Sequence, residues 1–173
     1  MSAESLRAKI REVPDFPKPG ILFYDITTLL KDADAFKESI QLMIEPFRDK
    51  QIDAVVGMES RGFIFSAPMA YELDAGLVPV RKLGKLPAET ITVEYALEYG
   101  SNTLEIHRDA IQPGQKVLVV DDLLATGGTV NGTIELVERL KGEVVGLAFL
   151  VELDFLKGRD RLDGRKVTSV IKY

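Results

Sequence analysis

No cysteine occurs anywhere in the 173 residues, so neither a disulfide framework nor a thiolate metal site is available to this chain. A cysteine-free chain fits a reducing compartment, and a cytoplasmic location is the expectation. No apolar run approaches the ~20 residues that a helix needs to cross a bilayer, so no membrane partner is expected. The opening stretch MSAESLRAKIREVPDF lacks the apolar core of a signal peptide and reads instead as an amphipathic helix of mixed charge. A basic excess is missing as well. The net charge of −5 argues against a nucleic-acid partner. Repeats and linkers rich in Pro, Gly or Ser are absent, so residues 1–173 read as a single domain. What is present is 46% apolar residues, enough to build a buried core in a chain of this length.

The apolar pattern gives the architecture. Asp53 to Met58, Leu77 to Lys82, Lys116 to Val120 and Val144 to Leu150 are short apolar strands with little alternation. Helices separate them. One is capped by Asp34 and carries Phe36, Ile40, Met43, Ile44 and Phe47 at helical spacing. A second runs through Phe63 to Leu73, with Pro68 either in its first turn or kinking it, and a third spans Thr129 to Lys141. Unalternating strands separated by helices predict an α/β, doubly wound, mainly parallel sheet with helices on both faces. Residues 88–107 differ. There Ile91, Val93, Tyr95 and Leu97 alternate with Thr92, Glu94, Ala96 and Glu98, and Gly100 to Asn102 supply a turn, so this segment reads as an inserted β-ribbon. Pro14 to Gly20, with three prolines and a glycine, reads as a rigid, extended arm.

The segment with the most chemistry is VLVVDDLLATGGT, residues 117–129. An apolar strand ends in the paired acids Asp121 and Asp122, and a loop of small residues then opens into a helix. In open α/β sheets ligands sit beyond the carboxyl ends of the strands, where this loop must lie. Ala125, Thr126, Gly127, Gly128 and Thr129 carry so little bulk that backbone N–H groups can crowd round a phosphate at the positive end of the following helix. The P-loop's Lys-Ser/Thr and the dinucleotide GxGxxG are both missing. Two adjacent acids beside a phosphate make sense if they bind hydroxyls, a developing cation or a hydrated Mg²⁺, and a ribose 5′-phosphate meets both halves of the motif. A solvated strand-to-helix turn with a Gly-rich cap is the structural alternative. The cluster Arg81, Lys82 and Lys85 suits either an anionic ligand or a solvated face.

These residues resemble the diphosphosugar-binding motif of the type I phosphoribosyltransferase family. FPKPGILFYDIT, GMESRGFIF, RKLGKLPAET, LEYGSNTLEIHRDAI and VELDFLKGR extend the resemblance over nearly the whole chain, to the branch of that family that acts on adenine. The resemblance implies a purine-salvage enzyme, a glycosyltransferase that converts adenine and 5-phosphoribosyl 1-pyrophosphate to AMP and pyrophosphate with Mg²⁺, usually as a homodimer. It implies that the metal is held mostly through substrate and water, with Asp121 and Asp122 as the protein's candidate ligands. Those two acids would bind the ribose hydroxyls, and residues 125–129 would hold the 5′-phosphate. The turn Glu59, Ser60 and Arg61, together with Arg81, Lys82 and Lys85, would face pyrophosphate. Backbone groups of Leu22 and Tyr24, in an arm of about residues 1–30, would read the adenine edge. The ribbon at about 88–107 would form a hood, with Tyr95 and Tyr99 closing it and Glu105 acting as the catalytic carboxylate toward the base. The single histidine, His107, receives no role and reads as a partly exposed structural residue.

Overall fold

Val117 to Val120 have nowhere to put their side chains except into two cores, one on each face of the sheet. In the computed structural model, which describes residues 2–96 and 101–173, Leu118 and Val120 enter one apolar cluster and Val117 and Val119 the other. Their strand, Lys116–Leu124, lies in a sheet that has seven strands among the described residues. In chain order the strands after an N-terminal pair (β1 Arg11–Pro14, β2 Leu22–Asp25) are β3 Ala54–Met58, β4 Gly76–Lys82, β5 Thr90–Ala96, β6 Ser101–His107, β7 Lys116–Leu124, β8 Glu143–Glu152 and β9 Val167–Lys172. The spatial order is β5-β6-β4-β3-β7-β8-β9. Pairing is parallel from β4 through β9 and antiparallel for β5, β6 and the β6–β4 junction.

Helices cover both faces, as the unalternating strands require. With α1 Ala3–Arg7, α2 Thr27–Leu30, α3 Ala33–Ile44, α4 Gly62–Glu72 and α5 Gly128–Arg139, the first cluster takes Met43 and Ile44 of α3 and Phe65 and Met69 of α4. The second takes Val130, Ile134 and Val137 of α5. The ribbon does not stand apart. It prolongs the sheet edge through Arg81↔Glu105 and Lys82↔Leu104, and buries Val93, Leu104 and Ile106 in the α5 cluster.

Several expectations are corrected. The cap of α3 is Asp32, whose carboxylate accepts the Ala35 N–H at 3.1 Å, while Asp34 sits in the first turn. Both acids precede the apolar stripe, and only backbone geometry separates them. Pro68 lies in the interior of α4, not in its first turn. The N-terminal amphipathic helix is one short turn, and its continuation is β1. Residues 14–20 are not extended. Asp15 and Gly20 have positive φ, the Phe16–Pro17 peptide is cis, and Asp15 accepts the Gly20 N–H at 2.7 Å, which closes a turn between β1 and β2. β7 runs past Val120 to include both acids, because Asp121, Leu123 and Leu124 continue the ladder to β8. Strand β9 went unread because Thr168 and Ser169 interrupt its apolar pattern.

Candidate active site

At the carboxyl end of β7 the chain turns through residues 125–127 and enters α5. Gly127 is the N-cap, with φ of +83°, a conformation that a side chain would strain. No side chain caps this end, so the first N–H groups of α5 face outward. They line a hollow of about 80 Å³ formed by Asp121 and residues 123–130. Ala125, Thr126, Gly127, Gly128 and Thr129 therefore converge as the sequence suggested. The Thr129 hydroxyl lies 3.4 Å from the Tyr95 hydroxyl, which ties the ribbon to this loop.

The two acids sit at the floor of the same place. Asp122 is buried, with its Oδ2 2.9 Å from Nε of Arg61, and its N–H donates to Oδ1 of Asp121 at 2.9 Å. Burial pushes the Asp121 carboxyl well above the ordinary range, and the Asp122 charge pushes it further. Burial also raises Asp122, opposed by the Arg61 guanidinium. A pair of carboxylates, Asp122 buried and Asp121 half-buried, with one cationic neighbour favours a further cation or hydroxyl donors above it. Gly62 lets α4 approach, since a Cβ there would stand 2.8 Å from Oδ1 of Asp121.

Arg61 also faces a second hollow. Its guanidinium carbon lies 5.5 Å from the centre of the Phe23 ring. Phe23, Phe16, Val13, Ile26 and Arg61 line an apolar space of about 430 Å³, in which Phe16 meets Phe23 edge-on at 5.1 Å. The sequence reading named the backbone groups of Leu22 and Tyr24, on either side of Phe23, and their side chains take no part in this hollow. Strand alternation turns the neighbours elsewhere: Tyr24 lies 3.9 Å from the Tyr173 ring and packs against the first core, and Leu22 is exposed. Phe23, an aromatic on the opposite face of a short strand, was the signal available and passed over.

The basic cluster is gathered by an acid. Glu59 accepts the Lys82 N–H at 2.9 Å and Nε of Arg81 at 3.3 Å, and Arg81 donates to the Lys85 carbonyl at 3.2 Å. The Lys82 N–H holds the Glu59 carboxyl below its usual range, aided by Arg81. Glu59 thus orients the cations of this cluster. Ser60 follows it across a cis peptide. Arg61, expected in the same cationic group, is placed with Asp122 and Phe23 instead.

Glu105 lies where the ribbon joins β4, opposite Arg81. Its carboxylate is buried and accepts the N–H groups of Lys85 at 2.7 Å and Leu86 at 2.8 Å, with the Thr90 hydroxyl at 3.4 Å. Ribbon alternation puts it on the face opposite Leu104 and Tyr95, where these bonds tie it to the turn after β4. Tyr99 lies outside the described residues. His107 is half-buried and accepts the Ala88 N–H at 3.4 Å, a structural contact as expected. Among the described residues no group of three His, Cys, Asp or Glu could hold a metal, and no helix is long and apolar enough to cross a membrane.

Comparison with known proteins covers nearly the whole chain. The model of the phosphoribosyl transferase domain matches residues 25–172. The chain is 60% identical to adenine phosphoribosyltransferase of Acidobacterium capsulatum, covering 100% of this chain and 96% of the relative. The crystal structure of adenine phosphoribosyltransferase from Thermoanaerobacter pseudethanolicus is similar with a TM-score of 0.96 and 53% identity, covering 99% of this chain and 100% of that one. The Saccharomyces cerevisiae enzyme, solved with adenine and D-2,5-dideoxy-2,5-imino-altritol 1,6-bisphosphate, is similar with a TM-score of 0.92 and 41% identity, covering 97% of each chain.

Proposed function

The chain belongs to the phosphoribosyl transferase family, and we infer that it transfers the 5-phosphoribosyl group of 5-phosphoribosyl 1-pyrophosphate to adenine, yielding AMP and pyrophosphate. The observation that carries this reading is one continuous edge: a hollow at the start of α5, the Asp121–Asp122 pair beside it, and an apolar aromatic hollow joined to that pair by Arg61. In this reaction the C1′–O bond to pyrophosphate breaks, the C1′–N9 bond forms, and adenine passes its N9 proton to the Glu105 carboxylate. Positive charge grows on the ribose ring between these events. Asp121 and Asp122 bind the ribose hydroxyls, and the growing cation draws negative charge onto the pair beside it. The N–H groups of residues 125–129 hold the 5′-phosphate at the positive end of α5.

Adenine stacks on Phe23. Among the described strands β2 is paired only with β1, so its outer edge has N–H and C=O groups at Leu22 and Tyr24 for the base edge. Arg81, Lys82 and Lys85, oriented by Glu59, take the pyrophosphate end. Mg²⁺ suits the carboxylates of Asp121 and Asp122 as hard oxygen donors, and bound there it would neutralise charge on the departing pyrophosphate. The test is turnover with 5-phosphoribosyl 1-pyrophosphate and Mg²⁺, with adenine, hypoxanthine, guanine and xanthine offered separately. AMP from adenine alone is the expected result. Product from a 6-oxo purine would overturn the base assignment, and no product from any base would overturn the reaction.

A homodimer belongs to the same reading. On α4, Ile64, Ala67, Pro68 and Tyr71 recur at helical spacing, and Tyr71 is 84% exposed. Sedimentation of the wild-type chain is expected to give twice the monomer mass, and Tyr71→Glu to shift it toward monomer. A monomeric wild type refutes the dimer.

A further inference from the structure

We propose that the segment after β8, with Gly158 as its contact point and the Glu152–Arg159 pair as its anchor, fixes the direction of the donors that bind the 5′-phosphate. This assigns positioning residues within the phosphoribosyl site and rests on that reading of it. Gly158 is buried behind the loop, outside the group of residues that line the phosphate hollow. Its backbone lies directly on residues 125–127. A Cβ at Gly158 would collide with the Ala125 carbonyl oxygen and stand 3.0 Å from the Ala125 carbonyl carbon and 3.1 Å from the Gly127 nitrogen. From the other side, a Cβ at Gly127 would stand 2.7 Å from the Gly158 carbonyl oxygen. All of these are backbone atoms, which cannot swing aside as the end of a side chain can.

The contact has a directional consequence. The Ala125 carbonyl points at Gly158. In a planar trans peptide the following N–H points the opposite way, so the Thr126 N–H is turned toward the hollow side of the loop. If that peptide rotated, a carbonyl would meet the phosphate in place of an N–H. A loop of small residues has little of its own to prevent this rotation. The brace supplies what the loop lacks.

The brace is itself held at both ends. Ahead of it, the Leu153 N–H donates to the Leu124 carbonyl at 2.9 Å, carrying the β7–β8 ladder up to the loop. Behind it, Arg159 grips buried Glu152 through Nε at 2.9 Å and Nη2 at 2.5 Å, and donates from Nη1 to the Val167 carbonyl at 3.1 Å. Lys172 stands 3.6 Å from the same carboxylate. The Arg159 hydrogen bonds hold the Glu152 carboxyl down to about 2, so the pair remains ionised through the neutral range. Charge-assisted bonds of this forked kind fix orientation as well as distance.

The experiment is calorimetric titration of wild type, Gly158→Ala and Arg159→Gln with ribose 5-phosphate and, separately, with pyrophosphate in Mg²⁺ buffer. For Gly158→Ala, affinity for ribose 5-phosphate is expected to fall by about tenfold or more, and affinity for pyrophosphate to stay within about twofold. Arg159→Gln leaves Gly158 in place and is expected to give the same selective loss at smaller amplitude, about threefold, which keeps the test open if the alanine variant folds poorly. A general structural defect would weaken both ligands alike. That result, or unchanged ribose 5-phosphate binding in both variants, overturns the proposal. Binding of neither ligand by wild type would instead refute the phosphoribosyl reading, and the brace with it.

Discussion

Asp121→Asn is expected to lower kcat/KM for 5-phosphoribosyl 1-pyrophosphate by about 10²–10³-fold, with the fold intact. The change keeps the size of the side chain, so the approach of Gly62 to Oδ1 is preserved. It removes the side chain's only charged form, one that burial and the Asp122 charge disfavour until a cation stands over the hollow. The expected split is informative. If the acid only bound ground-state hydroxyls, KM for the ribosyl donor would rise and kcat would hold. If it stabilises the developing cation, kcat falls as well. Steady-state kinetics with saturating adenine separate the two, and a variant with wild-type kcat and KM would remove Asp121 from the site.

The second large effect concerns the base. Phe23→Ala is expected to raise KM for adenine by roughly 5- to 150-fold, because stacking on an aromatic ring contributes about 1–3 kcal/mol per base. Phe16 meets Phe23 edge-on and Arg61 lies near the same ring, so both lose a partner when it is removed. Phe23→Tyr retains the ring and should restore most of the affinity. KM for the ribosyl donor should move little in either variant. If adenine KM were unchanged in Phe23→Ala, the base would have to bind elsewhere.

How far the sequence carried the argument differs from residue to residue, for physical reasons. The parallel core was legible because strands such as Val117 to Val120 are apolar on both faces, a pattern that few other settings tolerate. The phosphate loop was legible because close approach of backbone to an anion demands small residues, and residues 125–129 are small. The surroundings of Glu105 and Glu59 were not legible, because a carboxylate on a strand looks the same whatever it accepts, and the N–H groups that meet them, of Lys85 and Leu86 for one and of Lys82 for the other, come from distant segments. Phe23 was overlooked because the arm at 14–20 was taken as extended, whereas its turn brings Phe16 back onto β2. The brace at Gly158 could not be seen at all, since a glycine required by a distant carbonyl leaves no local mark.

Asp121 and Asp122 do not end their strand but lie within it: the ladder to β8 continues through Asp121, Leu123 and Leu124. Fixing a residue's backbone costs about 1–2 kcal/mol of conformational entropy, and for these acids that freedom was already given up when the sheet formed. Substrate therefore arrives at carboxylates whose backbone has no ordering left to do. The disorder that binding must remove is confined to ligand, solvent and side-chain torsions, so the acid pair behaves less like a trap that closes than like a fixed mould.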